Sequence, residues 1–163
     1  MGPRSAARLA AFVLAVTASA AGADEAHHAH VSAQNGVEIV HAWTRAGEGG
    51  TRLVFAEIRN LTGREIVLEG AESGIAEAGG LVGLSVQGGT LEHVAIPSVP
   101  IAPGRTLDLA PDGLAIRLSN VTTPLREGDE FEADIHFDVG TIAVHVAVEA
   151  ANARRHSHAG HQH

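Results

Sequence analysis

The 163-residue chain has no cysteine and no lysine, and its single methionine is Met1. Each absence removes a class of chemistry. Without cysteine there is no disulfide to staple the fold, no thiolate metal site and no thiol nucleophile. Without an internal methionine there is no thioether, the soft donor that suits copper(I). Every fixed positive charge is an arginine, and 11 of them stand against 19 acids for a formal net charge of −8. That sign argues against nucleic acid or an anionic membrane as partner. Enzyme signatures are missing too: no glycine-rich phosphate loop opens a helix, no G-x-S-x-G elbow occurs, and there is no HExxH. The acids fall at alternate strand positions, as solvated faces do. The chain is therefore not read as an enzyme.

No apolar stretch is long enough to cross a bilayer. Leu9 to Val16 is apolar but short; it follows Arg4 and Arg8 and precedes the small residues "TASAAGA". Basic, apolar and small residues in that order make a secretory signal. Residues 1–23 are expected to be a signal peptide, cut after Ala23 or after Ala20, which also ends an Ala-x-Ala match. The product is expected in the periplasm as a soluble monomer without membrane insertion. Removal of Arg4 and Arg8 makes it more acidic still.

What remains suits one domain with a core. Residues 24–36, "DEAHHAHVSAQNG", are polar and lack apolar periodicity, and are read as a flexible segment. From Val37 the pattern becomes strand after strand: "VEIVHAW", "RLVFAEIRN", "EIVLEGAE", "GLVGLSV", "TLEHVAI", "RTLDLA" and "LAIRLSN" are β-branched segments separated by Gly, Pro and Asn. The clearest element is a closing hairpin. Phe131, Ala133, Ile135 and Phe137 alternate with polar residues, and Ile142, Val144, Val146 and Val148 resume the alternation after a turn at Val139-Gly140. Period two means one face in a core and one in water. Residues 37–149 are thus expected to be an all-β antiparallel Greek-key sandwich or barrel. Residues 150–163 are expected to be a flexible tail.

Histidine carries the remaining chemistry, and the 11 residues form three sets. The ends hold His27, His28 and His30, and His156, His158, His161 and His163 in "RRHSHAGHQH". Neutral imidazole suits copper(II), zinc and nickel, and several on one segment can wrap an ion without a preformed site. The bland alternative is a pair of solvated ends whose metal affinity is incidental. On the hairpin, a two-residue turn at Val139-Gly140 puts His145 opposite Asp134 and diagonal to His136, where exposed strand histidines that meet only water are the default. Inside the domain stand His41, read as a core-edge histidine on the same side as Trp43, and His93.

The order of segments resembles the periplasmic copper chaperones of the PCu(A)C type. The matching stretches are "VEIVHAWTRAGEGG", "EIRNLTGREIVLEGAES", "VPIAPGRTLDLAPDG" and "LREGDEFEADIHFDVGTIAVHVAV", which together cover nearly all of Val37 to Val148. The resemblance implies a cupredoxin-like β-barrel. It also implies a copper(I) site of one His, one Met and a His-x-Met after the Pro-Asp/Gly-Gly turn. Here those positions hold Val82, His93, Ala115 and Arg117, so only His93 keeps a ligand. The resemblance therefore implies a barrel that has lost its copper(I) site.

A barrel without soft ligands but with histidines at both ends points to copper(II), or to zinc where availability reverses the affinity order. The expected protein captures or delivers that ion through His156, His158, His161 and His163, with His27, His28 and His30 as a second group and His93 as a remnant. A metalloprotein or transporter would receive the metal. Binding should weaken as the pH falls through the ordinary imidazole value of about 6.5. The alternative is a non-metal interaction module on the same β fold.

Overall fold

A computed structural model describes residues 31–157, and they are all-β, with no helix among them. Eleven strands follow in order: β1 Val31–Gln34, β2 Val37–Arg45, β3 Gly50–Asn60, β4 Ile66–Glu72, β5 Ala78–Gln87, β6 Thr90–Ile96, β7 Val99–Ile101, β8 Thr106–Leu109, β9 Ala115–Val121, β10 Glu130–Phe137 and β11 Gly140–Glu149. They hydrogen-bond along the path β6-β5-β9-β3-β2-β11-β10-β4-β7, with β1 added on β2 and β8 on β3. Every ladder is antiparallel except β2–β11, which is parallel. The consecutive strands β2–β3, β5–β6 and β10–β11 are neighbours along the path, whereas β3 and β4 are far apart on it, and β4 packs against β5 without pairing with it.

Two long strands change partner midway, and that folds the sheet onto itself. In β3, Gly50 to Val54 pair with β9 and Ala56 to Arg59 with β8. In β2, Val37 to Val40 pair with β1 and Trp43 to Arg45 with β11. The β2–β3 register shifts between Val40 and Trp43, and within that bulge His41 takes a left-handed φ of 52°. A bulge supplies the bend a folded sheet needs, and histidine is among the few non-glycine residues enriched at that φ.

Alternation then divides the side chains between two apolar clusters. Ala42, Val54, Leu81 and Ile116 enter the main core with Ile39, Ile58, Leu68, Ile135 and Val146. Their chain neighbours Trp43, Phe55, Val82 and Ala115 form a second cluster on the opposite face. Each fully buried Ile, Leu or Phe contributes about 1.5–3 kcal/mol.

The closing hairpin buries the residues its period selected: Phe131, Ala133, Ile135 and Phe137 from β10, and Ile142, Val144, Val146 and Val148 from β11. Its turn is one residue earlier than expected. Phe137 pairs with Gly140 around Asp138-Val139, because the Asp138 carboxylate accepts the Val67 amide at 2.8 Å and anchors the turn to β4.

Ordered structure also extends past both expected limits of the β domain. Asn35 and Gly36, both at positive φ, turn β1 back onto β2, so the sheet begins at Val31 rather than Val37. After β11, residues 150–157 lie against the barrel instead of leaving it. Asn60, one of two Asn in a glycosylation sequon, is fully buried. Its Nδ2 donates to the carbonyls of Arg64 and Ile101, both at 2.8 Å.

Candidate functional site

The positions at which the resemblance implies copper(I) ligands do come together. Val82 pairs directly with Ala115 across β5–β9, Leu84 with His93 across β5–β6, and Arg117 lies two residues beyond Ala115. Strand alternation puts Val82, His93, Ala115 and Arg117 on one face. The chemistry there does not fit the ion. Val82 and Ala115 are buried hydrocarbon, packed with Trp43 and Phe55, whose ring centroids are 4.7 Å apart. Arg117 sends a guanidinium nitrogen to the His93 carbonyl oxygen at 2.6 Å. His93 Nε2 is buried without a hydrogen-bond partner among the described residues. One imidazole beside a permanent cation, with no thioether among the described residues, is no copper(I) site.

Of the terminal histidines, His156 is within the described residues; His27, His28, His30, His158, His161 and His163 lie outside them. His156 is only 3% exposed. A short run of polar contacts seats it. The Ala153 amide donates to the Ala150 carbonyl at 2.9 Å, turning the chain after β11. Arg45 Nε donates to the Ala153 carbonyl at 2.6 Å. The Ser157 amide and hydroxyl both donate to Glu149 Oε1, at 3.1 and 2.9 Å. His156 Nε2 stands 3.5 Å from that same carboxylate oxygen.

The other side of the His156 ring meets His41. The two imidazoles stack with centroids 5.2 Å apart and planes 14° apart. His156 lines two open clefts of about 290 and 270 Å³. Glu127, Asp129, Glu130 and Glu149 line the first. His41, Glu57, Asp108, Arg154 and Arg155 line the second. Among the described residues, no three His, Asp or Glu side chains stand together as a metal site.

Sequence reasoning did not foresee that His41 meets His156. Simple alternation made it a core-edge residue beside Trp43, and a bulge without glycine leaves no mark in the sequence. The hairpin histidines also fall elsewhere than expected. His145 pairs with Glu132 rather than Asp134, and His136 pairs with Thr141, its Nδ1 lying 3.0 Å from the threonine hydroxyl. With the turn one residue earlier, the two histidines are no longer diagonal neighbours.

Comparison with known proteins places the chain. The solved structures similar to it include the apo PCuAC domain of PmoF2, with a TM-score of 0.63 and 21% identity over 77% of this chain and 99% of that one. The copper-bound PCuAC domain of PmoF2 superposes with a TM-score of 0.62 and 21% identity, covering 74% of this chain and 98% of that one. The fold is therefore the cupredoxin-like β fold of PCuAC domains. Among curated sequences, "Putative lipoprotein Lxx21020" of Leifsonia xyli subsp. xyli is 28% identical over 108 residues, 66% of this chain. The match spans 65% of that relative's length. The family described as "Putative lipoprotein LpqE-like" matches residues 37–148. With its PCuAC fold and its altered ligand positions, the chain belongs to the LpqE-like family.

Proposed function

We propose that the protein is a periplasmic, copper chaperone-like metal-binding protein. It captures copper(II), or zinc, through His156, His158, His161 and His163, with His27, His28 and His30 as a second group, and passes the ion to a metalloprotein or transporter. The observation that carries this reading is the seating of His156. The first histidine of the C-terminal tract is held on the barrel between Glu149 and His41, so the tract starts from a fixed imidazole. A PCuAC fold whose copper(I) positions hold Val82, Ala115 and Arg117 leaves imidazole as the donor, which favours copper(II) over zinc in the general affinity order. The copper-bound state of a structural neighbour supports copper as cargo.

The test is titration of copper(II) and zinc into the chain and into a version ending at Ala153. The intact chain should bind at least one equivalent at neutral pH and lose it as the imidazoles protonate. Equal, weak binding by both versions would remove the tail from the function.

A second reading, a protein-interaction module without metal, has one specific observation in its favour. Val86 and Leu91 face each other across the β5–β6 hairpin and are 68% and 62% exposed, on the same face as Val82. Binding of a partner by the metal-free protein, abolished by Leu91→Asp, would support it.

A further inference from the structure

We infer that the face carrying Val82, Ala115 and Arg117 docks an acidic segment of a partner protein, with Arg45, Arg52 and Arg117 receiving its carboxylates. The inference deepens the second reading above, an interaction module, and rests on it for the use of this face.

Arginines of the barrel are used in two ways. Arg59 pairs with Glu38 and Glu57, and Arg64 with Asp138. Arg45, Arg52 and Arg117 instead each donate one hydrogen bond of 2.6 Å to a backbone carbonyl, those of Ala153, Gly49 and His93. None of the three has a carboxylate within ion-pair distance among the described residues. A guanidinium carries five N–H donors, so most of each fork lacks a protein acceptor, and Arg52 Nε is buried without one. The chain has 19 acids against 11 arginines, so three arginines without an acid are not explained by any shortage of carboxylates.

Register brings the three together. Leu53 pairs with Arg117 across β3–β9, and one step past the Thr44–Val54 pair Arg45 comes alongside Leu53 from β2. Leu53 thus has an arginine on each side, with two strand spacings, about 10 Å, between them. Gly80, opposite Arg117 on β5, has no side chain to cover it. Arg45 and Arg52 line an open cleft of about 180 Å³ with Thr44, Thr51, Leu53 and Phe55, and the Arg45 guanidinium lies 5.9 Å over the Phe55 ring. Followed by alternation through β9, β5 and β6, the same face passes Ala115, Val82 and Leu84 to the exposed Val86 and Leu91 and meets no acid. The acid beside Arg45 by register, Glu149, turns its carboxylate to Ser157 and His156.

The partner's chemistry follows from this layout. The cleft is smaller than the roughly 300–1,000 Å³ of small-molecule sites and takes a side chain rather than a whole ligand. Guanidinium forks match carboxylates, and the apolar surface around them takes hydrocarbon. A long polyanion would meet the net charge of −8, whereas a short segment meets only this acid-free face. A second copy laid face to face would set arginine against arginine. A segment carrying both acids and leucines is the occupant that fits.

The test uses the metal-free full-length chain and two fluorescent peptides, one of repeated Glu-Glu-Leu-Leu and one of repeated Gln-Gln-Leu-Leu, read by anisotropy. The acidic peptide should bind at least about tenfold more tightly than its amide counterpart and weaken as salt is raised. Arg45→Gln should erase that preference. Gly80→Glu sets a carboxylate beside Arg117 at a position with nothing within 4 Å of an added Cβ, and should weaken the acidic peptide about tenfold. Should Arg45→Gln not fold, Gly80→Glu decides. An acidic peptide that does not bind at millimolar concentration, or binds Gly80→Glu as well as the parent, would overturn the inference. So would acetate that competes as strongly as the peptide at equal carboxylate concentration, which would mean a bare anion site. Equal binding of the two peptides, abolished by Leu91→Asp, would overturn it too while leaving the interaction-module reading standing.

Discussion

His156 stacks on His41 with ring centroids 5.2 Å apart, tying the last described turn of the chain to a bulge in its second strand. His156→Ala removes a buried ring together with its contact to Glu149. It should cost about 1–3 kcal/mol. Amide exchange should rise at Ala153 and Ser157, whose N–H groups serve that turn, and not in β10. Protection at Ser157 unchanged from the parent chain would mean that the stack does not hold the segment.

The copper(I) positions give a second expectation. His93→Ala should leave copper(I) affinity unchanged in a chelator competition, since the groups beside it are hydrocarbon and a guanidinium. Conversely, Val82→His, His93→Met, Ala115→His and Arg117→Met together place imidazole and thioether donors on one face of β5, β6 and β9. That variant should acquire copper(I) binding that the parent lacks.

Asn60 is fully buried and uses both ends of its side-chain amide. Besides its two donated bonds, its Oδ1 accepts the Thr62 amide at 2.9 Å and hydroxyl at 2.6 Å. Asn60→Ala removes a donor from the buried bond to the Ile101 carbonyl and loosens the turn after β3. A loss of about 2–3 kcal/mol in urea unfolding is expected. The same burial predicts that Asn60 carries no glycan even where its sequon could be modified, which mass measurement checks.

Gly79 and Gly80 are neighbours with opposite expectations. A methyl at Gly79 would run into the Ala71 carbonyl oxygen of β4, which is backbone and cannot step aside. One at Gly80 meets nothing within 4 Å. Gly79→Ala should therefore cost more than about 2 kcal/mol. Gly80→Ala should stay within about 0.5 kcal/mol. Equal midpoints for the two variants would contradict the close approach of β4 and β5.

Much of the fold was legible because a strand writes its two faces into alternate residues. Phe131, Ile135, Val144 and Val146 were placed in the core by period alone. Residues 24–36 were read as flexible from their polarity, although the Asn35-Gly36 pair within them is a strong hairpin signal and turns β1 onto β2. Register was less legible. A one-residue choice of turn moved His145 from Asp134 to Glu132, and the deciding contact, Asp138 to the Val67 amide, comes from a distant strand.

The sequence by itself determined which donor atoms this protein lacks. With no cysteine and no internal methionine, thiolate and internal thioether ligands are excluded by composition, which no folding can alter. Tertiary structure alone decided which histidines meet. His41 and His156 are at opposite ends of the described chain, and their contact depends on a strand bulge and on a turn pinned by Arg45 and Glu149. Local propensity encodes neither feature, because both arise where the sheet folds over and its first and last long strands pair in parallel.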